Sequence, residues 1–285
     1  MHGKPWEADK IMPKIVIDNE LCVRCGQCTF VCPSRCFRRE TNNDCPECPQ
    51  GAEEACISCC HCIAACVGKA ITVGNITADD CLDYDKAMSV RFDSVAHLVR
   101  TRRSIRRYTD KPLEDRVIEQ LIDVVRWAPT AKNGLPVKWV IINNPDKVKE
   151  LAGLIVGWIK KQQANDKMIE AMLAAWEAGN DPIFRGAPCL VAAYTDDASP
   201  LAGWSAIDTA IAVETLDLCA SAMRLGACWA GIFVRAVQSD KPFFNHWLGL
   251  RGTETVHGGL MLGHVGEEIY QRIPYRPEAQ KIWIR

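Results

Sequence analysis

Two stretches of the chain carry cysteines at one and the same spacing. They are Cys22, Cys25, Cys28 and Cys32 in the first stretch and Cys56, Cys59, Cys62 and Cys66 in the second. In each stretch, three cysteines are separated by two residues and the fourth follows after three more. This spacing is typical of [4Fe–4S] ligation, in which three thiolates on one loop hold three irons and the fourth cysteine ligates a neighbouring cluster. The repeat therefore predicts two clusters that exchange their fourth ligands.

The exchange defines two ligand sets. Cluster 1 would be held by Cys22, Cys25, Cys28 and Cys66, and cluster 2 by Cys56, Cys59, Cys62 and Cys32. Disulfides and zinc are the alternative interpretations, but neither requires the four-cysteine spacing twice. Four further cysteines could form an additional metal site or pack as small apolar side chains, and their role stays open: Cys36, Cys45, Cys48 and Cys60.

Short β-branched runs flank the cysteine stretches. Lys14–Ile17 precedes the first and Ala70–Val73 follows the second, and both favour strands. With these strands the region resembles the two-cluster bacterial ferredoxins, which implies a ferredoxin-like (βαβ)2 module with two [4Fe–4S] clusters. We assign this module to residues 1–84, with an insert at residues 37–55 between the cluster motifs. Residues 85–91 form the connection to a larger domain at residues 92–285.

Composition narrows the class of protein. The chain has 285 residues, 48% of them hydrophobic, which suits one small and one larger domain. A net charge of −1 argues against a protein built to bind nucleic acid or an anionic membrane. Residues 1–10 contain no apolar signal core, and no stretch reaches the roughly 18 apolar residues of a spanning helix. Of the 16 cysteines, 13 lie within the first 81 residues, which in a secreted protein would suggest disulfides; without a signal core or a spanning stretch, we expect a reducing, cytoplasmic location.

An arginine-rich segment opens the larger domain. Five arginines lie within the eight residues from Arg100 to Arg107, with Ser104 among them. A solvated surface and a nucleic-acid contact are two interpretations of such a run. A third is a pocket for a small phosphate, because the planar guanidinium group matches phosphate oxygens and a serine hydroxyl adds a donor.

A second motif lies downstream of these arginines. Residues 127–139 contain Ala-Pro-Thr, then Asn133, Pro136 and Trp139, after a predicted helix at 113–127 and before a predicted strand at 140–142. Together with Arg102-x-Ser104-x-Arg106, this motif resembles the FMN-dependent nitroreductase family over residues 92–285. The resemblance implies an α+β domain with a central, mainly antiparallel sheet flanked by helices. It also implies that the domain binds FMN.

The resemblance assigns residues to the flavin. Arg102, Ser104, Arg106 and Arg276 would hold its phosphate and ribityl end, Asn133 its ring, and the Ala230-Gly231 backbone its N5 edge. The full set of implied FMN contacts is Arg102, Arg103, Ser104, Arg106, Thr130, Asn133, Ala230, Gly231 and Arg276. No catalytic residue is assigned, because the flavin N5 would carry the chemistry. We expect structural roles in the core for His257, His264, Cys228 and Glu214.

The resemblance also implies a homodimer with FMN at the subunit interface. Residues 203–225 form a long, mostly apolar predicted helix, which we expect in the dimer core rather than in the site. Residues 259–266 are predicted to form a strand that leads into a turn. The gly-rich fingerprint of a dinucleotide-binding fold is not present in the sequence.

The two modules together predict an iron–sulfur flavoprotein oxidoreductase. Electrons would pass from an external low-potential donor, such as ferredoxin or NAD(P)H, through two clusters to FMN and on to a nitroaromatic, a quinone or an activated alkene. One alternative is a redox sensor or electron carrier whose larger module binds a partner. Another is a flavin-dependent dehydrogenase or dehalogenase with electrons flowing outward. The residues leave the donor, the acceptor and the direction of flow open.

Overall fold

The computed structural model describes residues 13–162, 166–266 and 270–284. These residues form two compact units. The first comprises the chain up to Ser89 together with Lys132–Gly134, and the second comprises Val90–Ala131 and the chain from Leu135 onward. The stretch at residues 1–10 that we expect to lack a signal segment lies outside the described residues. Within the described ranges, no helix combines the length and the apolar character needed to cross a membrane.

The first unit has two short strands and two short helices. They are β1 (Ile15–Ile17), α1 (Gln27–Val31), α2 (His61–Ala64) and β2 (Ile71–Val73). β1 and β2 pair in antiparallel register, with Ile15 opposite Val73. A single antiparallel bridge between Arg38 and Glu47 stands where a (βαβ)2 fold has its inner strand pair. The fold class is the predicted one, and this bridge lies within the predicted insert at residues 37–55.

The two cysteine stretches have matching backbone conformations at an offset of 34 residues in the sequence. α1 follows Gly26 at φ 71°, and α2 follows Cys60 at φ 57°. The residue before the second cysteine is also left-handed in both stretches, as Arg24 at φ 60° and Ser58 at φ 52°. The repeat therefore includes the backbone conformation of the turns that carry the cysteines.

The second unit contains the remaining helices and a four-stranded sheet. Its helices are α3 (Phe92–Thr101), α4 (Asp115–Val125), α5 (Pro145–Lys161), α6 (Lys167–Glu177), α7 (Ser205–Ala222), α8 (Gly231–Ser239) and α9 (Lys241–Leu248). Its strands are β3 (Lys138–Ile142), β4 (Cys189–Asp196), β5 (Leu225–Trp229) and β6 (Glu254–His264). The strand order is β3-β4-β6-β5, and every neighbouring pair is antiparallel.

The sheet of the second unit has a hydrophobic core on each face. Along β4, Cys189 and Val191 pack with buried residues of α4 and α7, whereas Leu190 and Ala192 pack with those of α5 and α8. This alternation follows from the two-residue period of a strand. The central strands are buried on both faces, so the sheet is the predicted antiparallel layer flanked by helices.

Candidate functional site

The first unit contains two cavities lined by the predicted ligand cysteines. One cavity encloses about 330 Å³, part of it open to solvent, and is lined by Cys32, Cys56, Cys59 and Cys62. The other has about the same volume and is lined by Cys22, Cys25, Cys28 and Cys66. The structure thus brings together each predicted set, including the fourth cysteine that comes from the other stretch. Ligation by these thiols stays a prediction.

Backbone N–H groups point at the sulfurs of the two exchanged cysteines. Cys36 N lies 3.3 Å from Cys32 Sγ, and Ala70 N lies 3.2 Å from Cys66 Sγ. Such donors stabilise a thiolate. Burial raises the pKa of the Cys62 thiol to about 12, so the free thiol is protonated at neutral pH and would release its proton on binding iron.

The cavities differ from a mononuclear metal site. Within the part of the chain that the structure describes, no three His, Cys, Asp or Glu side chains converge on a point that could hold one metal ion. A [4Fe–4S] cluster attaches each thiolate to a different iron, so it does not require such convergence. Ligation of a [4Fe–4S] cluster is therefore compatible with these cavities.

The internal repeat explains two of the additional cysteines. Cys60 occupies the left-handed position that Gly26 occupies in the first stretch. Cys36, which is buried, matches the buried Ala70 in the second stretch. Both cysteines line the first cavity. A turn accounts for the position of Cys60, and packing accounts for that of Cys36.

In the second unit, the arginine-rich segment runs alongside the edge strand β5. Ile105 N donates to Ala227 O at 2.8 Å, and Ser104 forms a parallel bridge with Ala227. Gly226 makes this approach possible, because a Cβ there would lie 2.8 Å from Ile105 Cγ2. Tyr108 Oη then donates to Ile105 O at 2.7 Å and closes the turn. These contacts fix the backbone that carries the arginines.

The arginine side chains of this segment have different partners. Arg102 Nη1 lies 3.0 Å from Asp217 Oδ2 on α7. Arg103 donates to the carbonyl oxygens of Arg100 and Arg102. The exposed Arg106 donates to Ser104 O at 3.2 Å. The segment therefore concentrates positive charge and hydrogen-bond donors beside β5, which is an arrangement suited to a phosphate group.

The loop at Thr130–Leu135 is held at both ends within the second unit. Ala131 N donates to Asp208 Oδ1 at 3.0 Å, and Leu135 N donates to Thr130 Oγ1 at 3.0 Å. Asn133, which is grouped with the first unit, donates from Nδ2 to the carbonyl oxygens of Ile57 and Ser58 at 3.3 Å. Its predicted contact with a flavin ring stays a prediction.

The other predicted flavin contacts lie at the end of β5 and in the C-terminal segment. Ala230 N donates to Gly259 O at 2.9 Å, and α8 begins at Gly231. A Cβ at Gly231 would lie 3.3 Å from Trp229 Cδ1, so this corner is closely packed. Arg276 is exposed in the described segment 270–284.

Sequence reasoning missed two carboxylates on α7. Asp208 and Asp217 are buried in a helix that we expected to be dimer core only, yet they contact Ala131 and Arg102. The available signal was an aspartate on the buried, mostly apolar face of a long helix. The expectation for Glu214 was wrong: its side chain is exposed, because position 214 faces away from the sheet.

His257 is half-buried on β6, and its polar contacts are incomplete. Its Nε2 atom is buried and has no hydrogen-bond partner among the described residues. Burial lowers the pKa of this imidazole. Cys228 is buried, and His264 is half-buried at the end of β6.

Known proteins match both parts of the chain. Residues 99–264 match the nitroreductase family, and residues 15–38 match the 4Fe–4S binding domain. The "Putative NADH dehydrogenase/NAD(P)H nitroreductase" of Methanothermobacter thermautotrophicus is 23% identical over 140 residues, covering 49% of this chain and 61% of that protein. A protein of the same name from Stenotrophomonas maltophilia R551-3 is 34% identical over 67 residues, covering 23% of this chain and 34% of its own. The chain thus spans less than two thirds of the length of either relative.

Solved structures match the second unit. An FMN-bound nitroreductase from Bacteroides fragilis has a TM-score of 0.55 at 22% identity, covering 67% of this chain and 97% of that one. An FMN-bound nitroreductase from Desulfitobacterium hafniense has a TM-score of 0.54 at 18% identity, covering 66% and 96%. These likenesses show the nitroreductase fold. With a family match over more than half its length, the chain belongs to the nitroreductase family and carries a 4Fe–4S binding domain ahead of the nitroreductase domain.

Proposed function

We propose that this protein is an iron–sulfur flavoprotein oxidoreductase. It takes electrons from an external low-potential donor and delivers them to a small acceptor such as a nitroaromatic, a quinone or an activated alkene. The observation that carries the proposal is the presence in one chain of two four-cysteine cavities and an arginine-rich segment on a nitroreductase fold. The solved relatives named above, which hold FMN, support it.

The residues of the second unit fit FMN. Arg102, Ser104 and Arg106 provide charge and donors for its phosphate. Asp217 Oδ1 is buried and has no hydrogen-bond partner in the part of the chain that the structure describes. An unsatisfied buried acceptor is expected where a bound polar molecule or water completes the hydrogen bonding. The predicted role of the Ala230-Gly231 backbone belongs to this proposal.

The residues of the first unit fit two [4Fe–4S] clusters, one in each cavity, with the ligand sets given above. When bound, the clusters supply one-electron transfer at potentials on the order of −400 mV, and FMN supplies two-electron transfer. The chain contributes thiols at the required spacing, N–H donors to the exchanged sulfurs, and apolar walls that limit water. Ile15 and Phe37 belong to the wall of one cavity, and Ile17 and Ile71 to that of the other.

We further propose a homodimer with FMN at the subunit interface. On α7, Trp204 at its start, Ile207 and Ile211 form an exposed apolar stripe at helical spacing. Such a stripe on a helix whose other face is already buried is typical of a surface that a partner covers. A second copy of the chain is the partner that the family resemblance implies.

The first test is cofactor content. Protein purified without air should contain about eight irons and one FMN per chain. Arg102→Ala should lose most of the FMN and keep the iron, because it removes a phosphate donor from one unit only. Arg107→Ala, an exposed neighbour in the same segment, is the matched control. Protein free of flavin would contradict the proposal, and flavin retained by Arg102→Ala would contradict the phosphate assignment.

The second test is the donor. Anaerobic stopped-flow absorbance should show flavin bleaching with reduced ferredoxin or NAD(P)H, followed by reoxidation with one of the acceptors. Bleaching by NAD(P)H before any change in cluster absorbance would instead favour the outward flow of a dehydrogenase. Salt-sensitive polynucleotide binding by flavin-free protein would favour the redox sensor, because phosphate contacts with nucleic acid weaken steeply with salt.

A further inference from the structure

Arg102 and Asp217 form an ion pair between distant parts of the sequence. Arg102 directly follows α3, whereas Asp217 lies in the C-terminal half of α7. Arg102 Nη1 and Asp217 Oδ2 are 3.0 Å apart, and the two side chains are 23% and 10% exposed. The pair therefore depends on the fold of the second unit and is largely shielded from solvent.

Stability alone does not account for this carboxylate. Asp217 lies among buried apolar residues of α7, including Val213, Leu216 and Ala220. Burial raises the pKa of the Asp217 carboxyl, whereas the charge of Arg102 lowers it. Keeping Asp217 charged in this buried position therefore costs free energy. A buried ion pair is commonly no more stabilising than apolar residues of similar volume. A role for the carboxylate in orienting the arginine is the remaining explanation.

The geometry of the pair suits that role. A guanidinium group is planar and has five donors, and one of them here contacts Asp217. Anchoring one nitrogen restricts where the group can lie and leaves other donors available for an anion. It also removes rotamer freedom that a long side chain would otherwise lose on binding.

We propose that Asp217 is a positioning residue of the phosphate site, which orients the Arg102 guanidinium through this ion pair. The proposal rests on the proposed function, because it assumes that Arg102 binds the FMN phosphate. It adds a residue of α7 to the site. It also predicts that Asp217 matters for flavins that carry a phosphate and not for riboflavin, which lacks one.

Asp217 also has a second effect on FMN affinity, which acts in the opposite direction. A carboxylate near a phosphate dianion also repels it, so removing Asp217 could tighten FMN binding if repulsion outweighed orientation. Asp217→Asn separates the two effects, because its side-chain oxygen can still accept from Arg102 while its charge is lost. Asp217→Ala removes both the charge and the acceptor. Comparing the two variants therefore isolates orientation.

The experiment is titration of the flavin-depleted full chain with FMN and with riboflavin, followed by flavin fluorescence. We expect Asp217→Ala to weaken FMN binding about tenfold, the loss of one hydrogen bond to a charged group, and to leave riboflavin binding unchanged. Asp217→Asn should keep the affinity for FMN within about threefold of the unaltered chain. Asp196→Ala, which breaks the more exposed Arg251–Asp196 pair, is the matched control and should change neither affinity.

Other results would overturn the proposal. Unchanged or tighter FMN binding by Asp217→Ala would assign Asp217 no orienting role, as would equal losses for FMN and riboflavin. If Asp217→Ala does not fold, Asp217→Leu, whose side chain has the same branched shape and no polar atoms, replaces it in the comparison. Failure of the unaltered chain to prefer FMN over riboflavin would overturn the proposed function as well. A normal preference in that chain, retained in Asp217→Ala, would overturn the positioning role alone.

Discussion

Cys60 shows how the environment of a single residue decides its role. It is one residue out of register with the cluster motif, and by sequence it could be a metal ligand. In the structure it has φ 57° and takes the place that Gly26 has in the first stretch. A non-glycine residue pays about 1–2 kcal/mol in this left-handed region, whereas glycine does not.

Replacing Cys60 by glycine should therefore stabilise the first unit without loss of iron. We expect Cys60→Gly to raise the free energy of unfolding by about 1 kcal/mol, the steric cost less the added freedom of the unfolded chain. Anaerobic urea unfolding and iron analysis measure the two effects. Cys62→Ser, two residues away and at a predicted ligand, is the control that should lose iron. Iron loss in Cys60→Gly would identify Cys60 as a ligand after all.

His257 should make the stability of the second unit depend on pH. Burial lowers the pKa of its imidazole below the ordinary value of 6.5; Lys241 lowers it further, and Asp197 opposes the shift. The unfolded chain therefore takes up the proton at a higher pH than the folded chain does. The resulting stability is fully present above the ordinary pKa and is lost as the pH falls through it toward the lowered value.

His257→Gln should remove this dependence. Between about pH 7.5 and about pH 5.5, the free energy of unfolding of the unaltered chain should fall more than that of the variant, because glutamine takes up no proton. Urea unfolding at several pH values, followed by circular dichroism, measures the difference. His97→Gln, at an exposed position on α3, should follow the unaltered chain. Parallel curves for all three proteins would show that His257 does not titrate differently on folding.

At the scale of elements, the sequence predicts the helices and strands whose formation depends on a local pattern of residues. The β-branched runs beside the cysteines became β1 and β2, and the apolar segment at 203–225 became α7. β6 was predicted only from residue 259 but begins at Glu254. Its first five residues, Glu-Thr-Val-His-Gly, include a single large apolar side chain, so the apolar run that signals a buried strand begins only after them.

Contacts between distant elements escaped prediction for a different reason. The pairing of Asp217 with Arg102 depends on how α7 packs relative to α3, and the conformation of Cys60 depends on the turn before α2. Neither is encoded in a periodic pattern. By contrast, the grouping of Cys66 with the first stretch followed from the spacing rule, and the structure places these cysteines around one cavity.

The exchange of the fourth ligand is an element-scale prediction. Cys66 lies just beyond α2 in the second stretch but lines the cavity of Cys22, Cys25 and Cys28. Cys66→Ser should therefore change the electron paramagnetic resonance signal of the reduced protein in the same way as Cys25→Ser. Cys59→Ser, from the same stretch as Cys66, should change the other signal. A Cys66→Ser spectrum that matched Cys59→Ser would mean that the ligands are not exchanged.

At the scale of the whole molecule, the proposed homodimer can be tested through the exposed face of α7. One face of this helix is buried and carries Asp208 and Asp217, while Ile207 and Ile211 on the other face are 52% and 37% exposed. Because α7 contributes Asp217 beside Arg102, a second copy packed on its outer face would also brace the helix that supports the phosphate site. Assembly and flavin binding should therefore depend on the same helix.

The double variant Ile207→Glu with Ile211→Glu should separate the dimer and lower its FMN content, while the iron content stays unchanged. Burying two unpaired carboxylates in an apolar interface costs several kcal/mol, enough to shift the dissociation constant by more than a hundredfold. Sedimentation equilibrium and flavin absorbance measure the two losses. Phe243→Glu, at an exposed apolar position on α9, is the control that should remain dimeric. A double variant that stays dimeric would exclude the stripe as the interface, and a monomer that keeps its FMN would place the flavin within one subunit.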